Sequence, residues 1–334
     1  MLFRSSGLAN PYLTWETSKQ TDIGLDARFL KNRLTFGVDW YNKLTDGLLM
    51  TVSPAFEVGA GNSTANAGSV LNRGLEFELG WQDTVGDLHY SINANFSTNK
   101  NQVTYMDKSY AERLKGSNFS NFKSQTTFEE GYPVWYLRGF RYAGADADGK
   151  AQFYAADGSI TLKPDDVADM VCMGSGLPTY NYGITVRLDW KGIDFTLFGT
   201  GAGGNVIVPC VYRTEHPQIN GLKYFYENAG KTLPTIKNMY DNVNFWSSDA
   251  NLFKGDYFKI KQIQLGYTLP KSICQKILLS SLRVYMSLDD YFTFTQYPGF
   301  DPETVSTGSN SGMGLDKGSY PNSKKLLFGV NIMF

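Results

Sequence analysis

The sequence lacks the features that mark several large classes of protein. No stretch approaches the ~18 consecutive apolar residues of a membrane-spanning helix, which excludes helical insertion but not insertion by strands, where only every second residue meets lipid. Lysine and arginine (31) balance aspartate and glutamate (32), so no net field would attract nucleic acid. Cys172, Cys210 and Cys274 are far apart and odd in number. They fit neither a disulfide framework nor a zinc site, and we expect free thiols.

Residues suited to catalysis are equally scarce. The two histidines are His89 and His216, and no Ser/His/Asp or Cys/His arrangement is legible around them. His89 falls on the polar side of an alternating segment with no evident partner, where a solvated side chain is the expected state. The sequence therefore predicts a protein that is not an enzyme and that needs no cofactor.

The amino terminus lacks the basic and then apolar pattern of a signal peptide over Met1–Asn10. A secreted protein requires such a leader. The sequence therefore leaves two interpretations open at this point, a cytoplasmic protein or a fragment of a longer one.

What the sequence has in quantity is aromatic residues and strict two-residue alternation. In Asn181–Trp190, five apolar side chains occupy the even positions and none the odd ones, which predicts a β-strand. The same analysis predicts strands at Ile23–Phe29, Leu34–Tyr41, Leu75–Gln82, Leu88–Asn99, Ile193–Thr200, Tyr257–Leu269, Leu282–Tyr291 and Leu326–Phe334. Within Tyr257–Leu269 the apolar positions change from even to odd, and a β-bulge near Lys261–Gln262 would explain this change. The fold class is all-β.

Short and long connections alternate between these strands. Tight turns at Lys31–Arg33 and Lys191–Gly192 contrast with long polar segments such as Lys100–Tyr132 and Gly201–Gly255. Short turns on one side and long loops on the other are typical of an antiparallel transmembrane β-barrel. Alternation alone would favour a soluble β-sandwich. Strands near the ~9–11 residues of a membrane crossing and aromatic residues at strand ends reverse that preference, as do polar faces rich in small and amide side chains.

Six short motifs occur in an order and spacing that resemble the SusC/RagA family of TonB-linked outer-membrane proteins. They are the opening Asn10-Pro11 with Trp15-Glu16 and Gln20–Asp26, the strand start Asn72–Glu76, the pair Leu265–Pro270 and Leu282–Tyr285, the loop motif Gly299-Phe300-Asp301-Pro302-Glu303, and Tyr320-Pro321. Two segments depart from the family pattern. They are Leu288–Tyr291, where the family has a Gln-Asn pair, and the shortened acidic segment Asp146–Gly149.

This resemblance implies that residues 1–334 are the C-terminal portion of a larger, 22-stranded barrel, without its plug domain and its N-terminal barrel strands. It implies outer-membrane lipid, a SusD-like surface lipoprotein and TonB as partners. It also implies that the alternating residues of the last strand, Phe328, Val330, Ile332 and Phe334, form a signal read by the barrel-assembly machinery.

Strand direction adds two strands to the nine above. If Leu88–Asn99 runs outward and a strand at Pro133–Tyr142 runs inward, one outward strand must precede Asn181–Trp190, and Lys150–Ala156 is the expected position. The predicted total is eleven. On the nine clear strands, Val186, Phe328 and Val330 should face lipid, whereas Thr185, Arg187 and Asn331 should face the lumen.

Other clusters favour plain structural interpretations. Asp146, Asp148 and Asp157 hold too few alternating oxygens for calcium, and a solvated turn is expected. Glu76 and Glu78 share one wet strand face, where both should stay ionised. The glycine-rich run Gly199–Gly204 is followed by no predicted helix that would make it a phosphate cradle, so a flexible exit from the strand is expected.

Two functions remain. The favoured one is a component of an outer-membrane TonB-dependent transporter for glycans or other large nutrients, inactive without its missing parts. The alternative is an extracellular glycan-binding β-rich module, suggested by the loop aromatics Tyr224, Phe225, Tyr226, Tyr240, Phe245 and Trp246. The same aromatics would equally pack the loop or meet a lid protein.

Overall fold

A computed structural model describes residues 10–52, 61–108, 112–118, 122–123, 125–209, 223–240, 242–305 and 310–334. Twenty strands lie in these ranges: β1 (Thr17–Phe29), β2 (Leu34–Val52), β3 (Ser63–Val85), β4 (Leu88–Thr98), β5 (Lys100–Met106), β6 (Leu114–Asn118), β7 (Gln125–Phe128), β8 (Tyr136–Phe140), β9 (Tyr142–Ala145), β10 (Ala151–Tyr154), β11 (Ile160–Thr161), β12 (Met170–Gly174), β13 (Tyr180–Trp190), β14 (Ile193–Gly203), β15 (Val206–Pro209), β16 (Phe253–Lys254), β17 (Tyr257–Thr268), β18 (Ser281–Thr295), β19 (Leu315–Asp316) and β20 (Lys325–Met333). Cys210 and His216 lie outside the described residues.

Helices are few and short. They are α1 (Lys223–Asn228), α2 (Ile236–Tyr240), α3 (Val243–Trp246) and α4 (Lys271–Cys274), with three-residue 3₁₀ turns at Asp249–Asn251, Gln275–Ile277 and Asn310–Gly312. None of the helices in the described ranges has the length and apolarity needed to cross a bilayer. Nearly all the regular structure is therefore in sheets.

One large antiparallel sheet forms the wall. Its strands follow the order β1-β2-β3-β4-β13-β14-β17-β18-β20, and β5 pairs with the far end of β3. Each of the nine strands predicted from alternation is one of these wall strands. Among the described residues, β1 and β20 each have one neighbour, so both are edges of the sheet.

The register of the wall separates an apolar from a polar face. Val186 lies opposite Ile92 on one side and Leu197 on the other, whereas the adjacent Thr185 lies opposite Asn93 and Phe198. The same apolar face continues to Phe328 and Val330, which pair with Met286 and Val284. The wall thus has the two faces that were predicted. The apolar face carries Val186, Phe328 and Val330, and the polar face carries Thr185, Arg187 and Asn331. Contact of the apolar face with lipid stays a prediction.

The two shortest turns have the backbone geometry that their residues suit. Lys191 and Gly192 both have positive φ (47° and 87°), as the two central residues of a type I′ hairpin require. Leu30, Lys31 and Asn32 have φ of 54–66° in the turn between β1 and β2. These strained but tight turns hold the strands that they join in register at one end of the wall strands.

The predicted β-bulge is confirmed. The ladder between β14 and β17 passes from Phe198–Gln262 to Gly199–Ile260, and Lys261 is left as the extra residue. The ladder to β18 passes from Ile260–Phe292 to Gln262–Asp289 at the same point. A bulge re-aims the side chain at which it occurs, and here that side chain is Lys261.

Two of the eleven predicted wall strands are wrong. β4 pairs directly with β13, so the chain between them leaves the wall and returns. The segment predicted as Pro133–Tyr142 contains β8 of the four-stranded sheet β12-β8-β7-β6, and Lys150–Ala156 contains β10 of the separate sheet β11-β10-β9. Without these two predicted strands, successive wall strands still alternate in direction. The wall of the described residues therefore has nine strands on its path.

Both misassigned strands have a physical signature that differs from a membrane crossing. β8 has five residues and β10 has four, or roughly 13–17 Å at 3.3 Å per residue, against an apolar band of about 25 Å. All five residues of β8 are buried, so it does not alternate between two environments. It is the interior strand of a loop structure.

The long loops share a hydrophobic core. Phe140, Phe153, Phe245 and Leu137 are fully buried in it. Residues from all three long connections between wall strands (β4 to β13, β14 to β17 and β18 to β20) join them, namely Phe122, Ala151, Met170, Val208, Phe225, Leu233, Met239, Trp246 and Leu315. Aromatic rings meet edge to face, for example Phe245 and Trp246 at 5.0 Å. The segments between wall strands thus form a packed structure, which we call the loop assembly.

Candidate functional site

The loop assembly packs against the polar face of the wall. Val70 lies on β3 with the same alternation as Glu76 and Glu78, and it belongs to a buried cluster with Val103, Met106 and Phe128. Phe128 comes from β7 of the loop assembly. A methyl group added at Gly68 would come within 3.1 Å of its ring, so the absence of a side chain at Gly68 allows this approach. One end of the polar face is therefore covered by folded loops.

A second attachment is ionic and involves the loop motif of the family resemblance. The ammonium group of Lys259, 1 % exposed, lies 2.7 Å from Oδ2 of Asp301 and 2.6 Å from Oε2 of Glu303. Lys261 lies 2.6 Å from Oε1 of Glu303 and 3.2 Å from Oδ1 of Asp290. We call these five residues the lysine cluster. It holds the chain around Gly299–Glu303 onto β17.

Local structure positions each member of the lysine cluster. Lys259 lies opposite Thr200 on the polar face, and the bulge directs Lys261 to the same acidic groups. Asp290 has φ of 56°, an uncommon conformation for a residue other than glycine, at the irregular point of β18. The departure from the family pattern at Leu288–Tyr291 therefore falls on a residue that contributes a charge to this cluster.

The charges of the lysine cluster are complementary, with two cations and three carboxylates. Burial by itself would raise the pKa of Glu303, but hydrogen bonds from Lys259 and Lys261 outweigh burial and hold that pKa below its usual range. The Asn322 side-chain amide also donates to Oε2 of Glu303 at 2.9 Å. The ionised form of Glu303 is thus the one that stabilises the attachment.

The loop aromatics are mostly structural. Phe225, Phe245 and Trp246 are buried in the core of the loop assembly, and Trp246 donates its indole N–H to the Met239 carbonyl oxygen at 2.8 Å. Tyr224 and Tyr226 remain 37 % and 38 % exposed. Three of the six loop aromatics that suggested glycan binding therefore pack the interior of the loop assembly.

Two other predicted positions gain partners that the sequence did not reveal. His89 lies opposite Asp189 in the ladder, and its Nδ1 is 2.8 Å from the Thr84 hydroxyl. Only strand register shows this pairing, since Asp189 is a hundred positions away in the chain. Asp146 accepts backbone N–H bonds from Asp148 and Lys150 at 3.0 and 2.7 Å, which closes the expected turn.

The described ranges show no group of three or more His, Cys, Asp or Glu side chains placed to hold a metal ion. Glu76 and Glu78 lie on the polar face as predicted, opposite Ser97 and Asn95. Gly199–Gly203 continues β14 and is not a flexible exit. The ring of Tyr182 occupies the space beside Gly201, where an added methyl group would be 2.5 Å from its Cζ.

Aromatic residues form two belts on the apolar face. Near one end, Tyr182 stacks with Phe258 at 5.9 Å, and Phe77, Phe96, Tyr180 and Phe294 extend the row. Near the other end are Trp81, whose indole N–H donates to the Tyr90 hydroxyl at 3.3 Å, and Trp190. Tyr182 and Trp190 are eight residues apart on β13, or about 26 Å. The stretch from Tyr182 to Trp190 is nine residues of β13, close to the roughly 9–11 residues that a tilted strand needs to cross a bilayer.

Three of the four predicted assembly-signal residues lie on the edge strand β20, and Phe334 directly follows its last residue, Met333. Phe328, Val330, Ile332 and Phe334 share the apolar face and are 75 %, 57 %, 52 % and 89 % exposed. Strand β20 pairs with β18 on one side. Recognition by an assembly machinery stays a prediction.

Comparison with known proteins agrees with this wall and its girdles. A family model described as "TonB dependent receptor-like, beta-barrel" matches residues 2–205. TonB-dependent receptor P3 of Formosa agariphila is 29 % identical over 370 residues, which cover 98 % of this chain and 35 % of that protein. TonB-dependent receptor SusC of Bacteroides thetaiotaomicron is 25 % identical and is covered to 32 %. The chain thus spans about a third of the length of these relatives.

Solved structures give the same result. A structure titled "Structure of the RagAB peptide transporter" aligns with a TM-score of 0.79 and 25 % identity, over 98 % of this chain and 36 % of that one. A related structure of the RagAB peptide importer in an "open-open" state aligns with a TM-score of 0.80 and 26 % identity. These matches confirm the SusC/RagA resemblance that was inferred from six short motifs.

The chain belongs to the TonB-dependent receptor-like β-barrel family. It is an outer-membrane protein with the fold of the C-terminal portion of such a barrel. Its family consists of receptors and transporters rather than enzymes.

Proposed function

We propose that residues 1–334 form one C-terminal portion of the barrel of a TonB-dependent importer that takes up oligosaccharides or other large nutrients. The observation that carries this proposal is the position of the loop assembly. It covers one end of the polar wall face, where a substrate entering the lumen would meet it. A wall whose only role was to carry a surface module would gain nothing from attaching its loops to the lumen side.

The same proposal includes the partners that the family resemblance implies. A plug domain and further barrel strands would complete the lumen, TonB would supply energy through the plug, and a SusD-like lipoprotein would cover the loop assembly from outside. In this arrangement the SusD-like lipoprotein would open and close like a lid. The lysine cluster would meanwhile hold the last long loop, around Gly299–Glu303, against the polar face of the wall.

The alternative, a surface glycan-binding module, has less support. Phe225, Phe245 and Trp246 are buried in the core of the loop assembly and are not available for stacking on sugars. The apolar face with its two aromatic belts also fits a bilayer better than water.

Uptake measurements test the proposal. Cells that produce the protein in the outer membrane, with and without functional TonB, would be given fluorescent oligosaccharides and fluorescent oligopeptides of matched length. We expect accumulation of the oligosaccharides that disappears when either TonB or the protein is removed. Accumulation unchanged by both removals would contradict import. A protein that remains monodisperse without detergent would favour the surface module.

A further inference from the structure

A cleft lies between the end of the wall and the loop assembly. Residues from five places in the chain line it: the last part of β2 (Leu49–Thr51), Asn62, the stretch Arg113–Ser117, Trp135 and Ser311. Its volume of about 700 Å³ falls within the usual 300–1,000 Å³ of small-molecule sites. The backbone N–H of Ser117 donates to the Thr126 hydroxyl at 2.8 Å, and the Ser117 and Ser311 hydroxyls are 3.0 Å apart, so the wall of the cleft is fixed.

The floor of the cleft contains a tryptophan held in an unusual conformation. Trp135 has φ of 51°, in the left-handed region that is a true outlier for a bulky side chain. Its ring lies over Gly116, where an added methyl group would be 2.8 Å from Cε3, and its centroid is 5.5 Å from that of Phe128. Such strain persists only where the surroundings enforce it, and it is concentrated at ligand sites. The half-buried ring is thus fixed in the cleft.

Charge in the cleft is of one sign. Arg113 and Lys115 line it, and no acidic side chain does so among the residues of this cleft that the structure describes. Nε of Arg113 is buried without a hydrogen-bond partner in the described part of the chain, and Glu129 is 3.4 Å away as an ion-pair partner. Within the described ranges Lys115 takes part in no ion pair. Glu129 thus compensates the charge of Arg113, and Lys115 is the cation of the described lining that an anionic ligand would meet.

We propose that this cleft binds an acidic oligosaccharide, with one sugar ring on the face of Trp135 and its carboxylate at Lys115. This inference rests on the proposed import function and names a substrate class for it. The remaining lining is polar, with the Thr51 hydroxyl and the Asn62 amide beside the bonded pair Ser117 and Ser311, and groups of this kind hydrogen-bond the hydroxyls of a sugar. The apolar members Met50 and Leu114 pack in the buried cluster of Phe128, so Trp135 and the polar groups are what a ligand in the cleft would meet.

Binding of oligogalacturonate to the full-length protein, extracted in detergent from the outer membrane, tests the proposal. Titration calorimetry and tryptophan fluorescence would compare the acid with its methyl ester, which has the same rings and no charge, and with hexaglutamate. We expect the acid to bind, salt to weaken it, and the ester to bind more weakly. Lys115→Gln should raise the Kd roughly tenfold through loss of a charge-assisted hydrogen bond.

Lys108→Gln is the matched control, because Lys108 is 70 % exposed outside the cleft and pairs with Glu130 at 3.8 Å. It should leave the Kd unchanged. Trp135→Gly would remove the ring and also relieve the positive φ, and it should abolish the fluorescence response. Equal binding of acid and ester, an unchanged Kd in Lys115→Gln, or Lys115-dependent binding of hexaglutamate as tight as that of the sugar would each overturn the proposal.

The same preparation separates this proposal from the proposed function. If oligogalacturonate binds in a Lys115-dependent way but no substrate is accumulated through TonB, the cleft is supported and import fails. If uptake depends on TonB but Lys115→Gln leaves binding unchanged, import is supported and this site fails.

Discussion

At the scale of single residues, the most unusual side chain is that of Lys259, because it is charged and almost completely buried. A lysine that is 1 % exposed must have its charge compensated, and two carboxylates from a loop more than 40 residues away provide this. Removing one member of such a buried ionic group costs more than removing a surface ion pair, because the remaining charges stay buried. This position therefore gives a clear test of how the last long loop is held.

Lys259→Met should release the chain around Asp301 from the wall. We expect a loss of about 3 kcal/mol in local stability, or a roughly hundredfold faster amide hydrogen exchange in residues 296–305. Lys19→Met is the control, since Lys19 forms an exposed ion pair with Asp46 at 3.6 Å that should contribute less than about 1 kcal/mol. Similar exchange in both variants would show that the ionic contacts do not anchor the loop.

Glu303→Gln tests the pH dependence of the same cluster. Because the pKa of Glu303 is lowered in the folded protein, its contribution is fully present above the ordinary glutamate pKa near 4.5. That contribution is lost as the pH falls through the lowered value. We expect Glu303→Gln to lower the thermal unfolding temperature at pH 7, and the gap to the unchanged protein to shrink below pH 4.5. A gap that is constant with pH would mean that the carboxylate charge is unimportant.

At the scale of elements, the wall strands were predictable and the loop assembly was not. Strand β13 alternates over eleven residues between two environments, so its pattern alone identifies it. Strand β8 is short and buried on both sides, and β10 has only four residues, so neither is long enough for its alternation to separate it from a fragment of a membrane strand. The register that places Asp189 beside His89, and the contact of Lys259 with Asp301, depend on chain segments that only the fold brings together.

The two faces of β13 predict opposite responses to the same substitution. Val186→Arg places a charge on the apolar face near the middle of the strand, at a cost of roughly 2–4 kcal/mol in a bilayer. Thr185→Arg places it on the polar face, beside Asn93 in the neighbouring strand, and should cost far less. Folding yield of the intact protein into lipid vesicles measures the difference. Equal yields would remove the assignment of the apolar face to lipid.

The final strand allows a test of the predicted assembly signal. Deletion of Phe334, which is exposed at the end of β20, should reduce membrane insertion more than Phe328→Leu does. Fractionation of cells producing each variant would measure the inserted share. Normal insertion of the deletion variant would show that this residue is an ordinary strand end.

At the scale of the whole molecule, the described wall has two unpaired edges. Each edge strand in a bilayer would leave on the order of ten backbone groups without partners, at several kcal/mol each. A domain stability of about 5–15 kcal/mol is too small to offset that cost. Residues 1–334 refolded alone in detergent should therefore not form a heat-modifiable, protease-resistant monomer. Gel mobility before and after heating tests this, and a compact monomeric barrel would contradict it.

The directions of the first and last wall strands restrict the number of further strands that can close the wall into a barrel. Nine antiparallel strands begin and end in the same direction, so β1 and β20 are parallel to each other. Any strands that close this wall must begin and end in the opposite direction, and their number is therefore odd. An odd complement added to nine gives an even total, which bacterial single-chain barrels have. A total of 22 would require thirteen further strands.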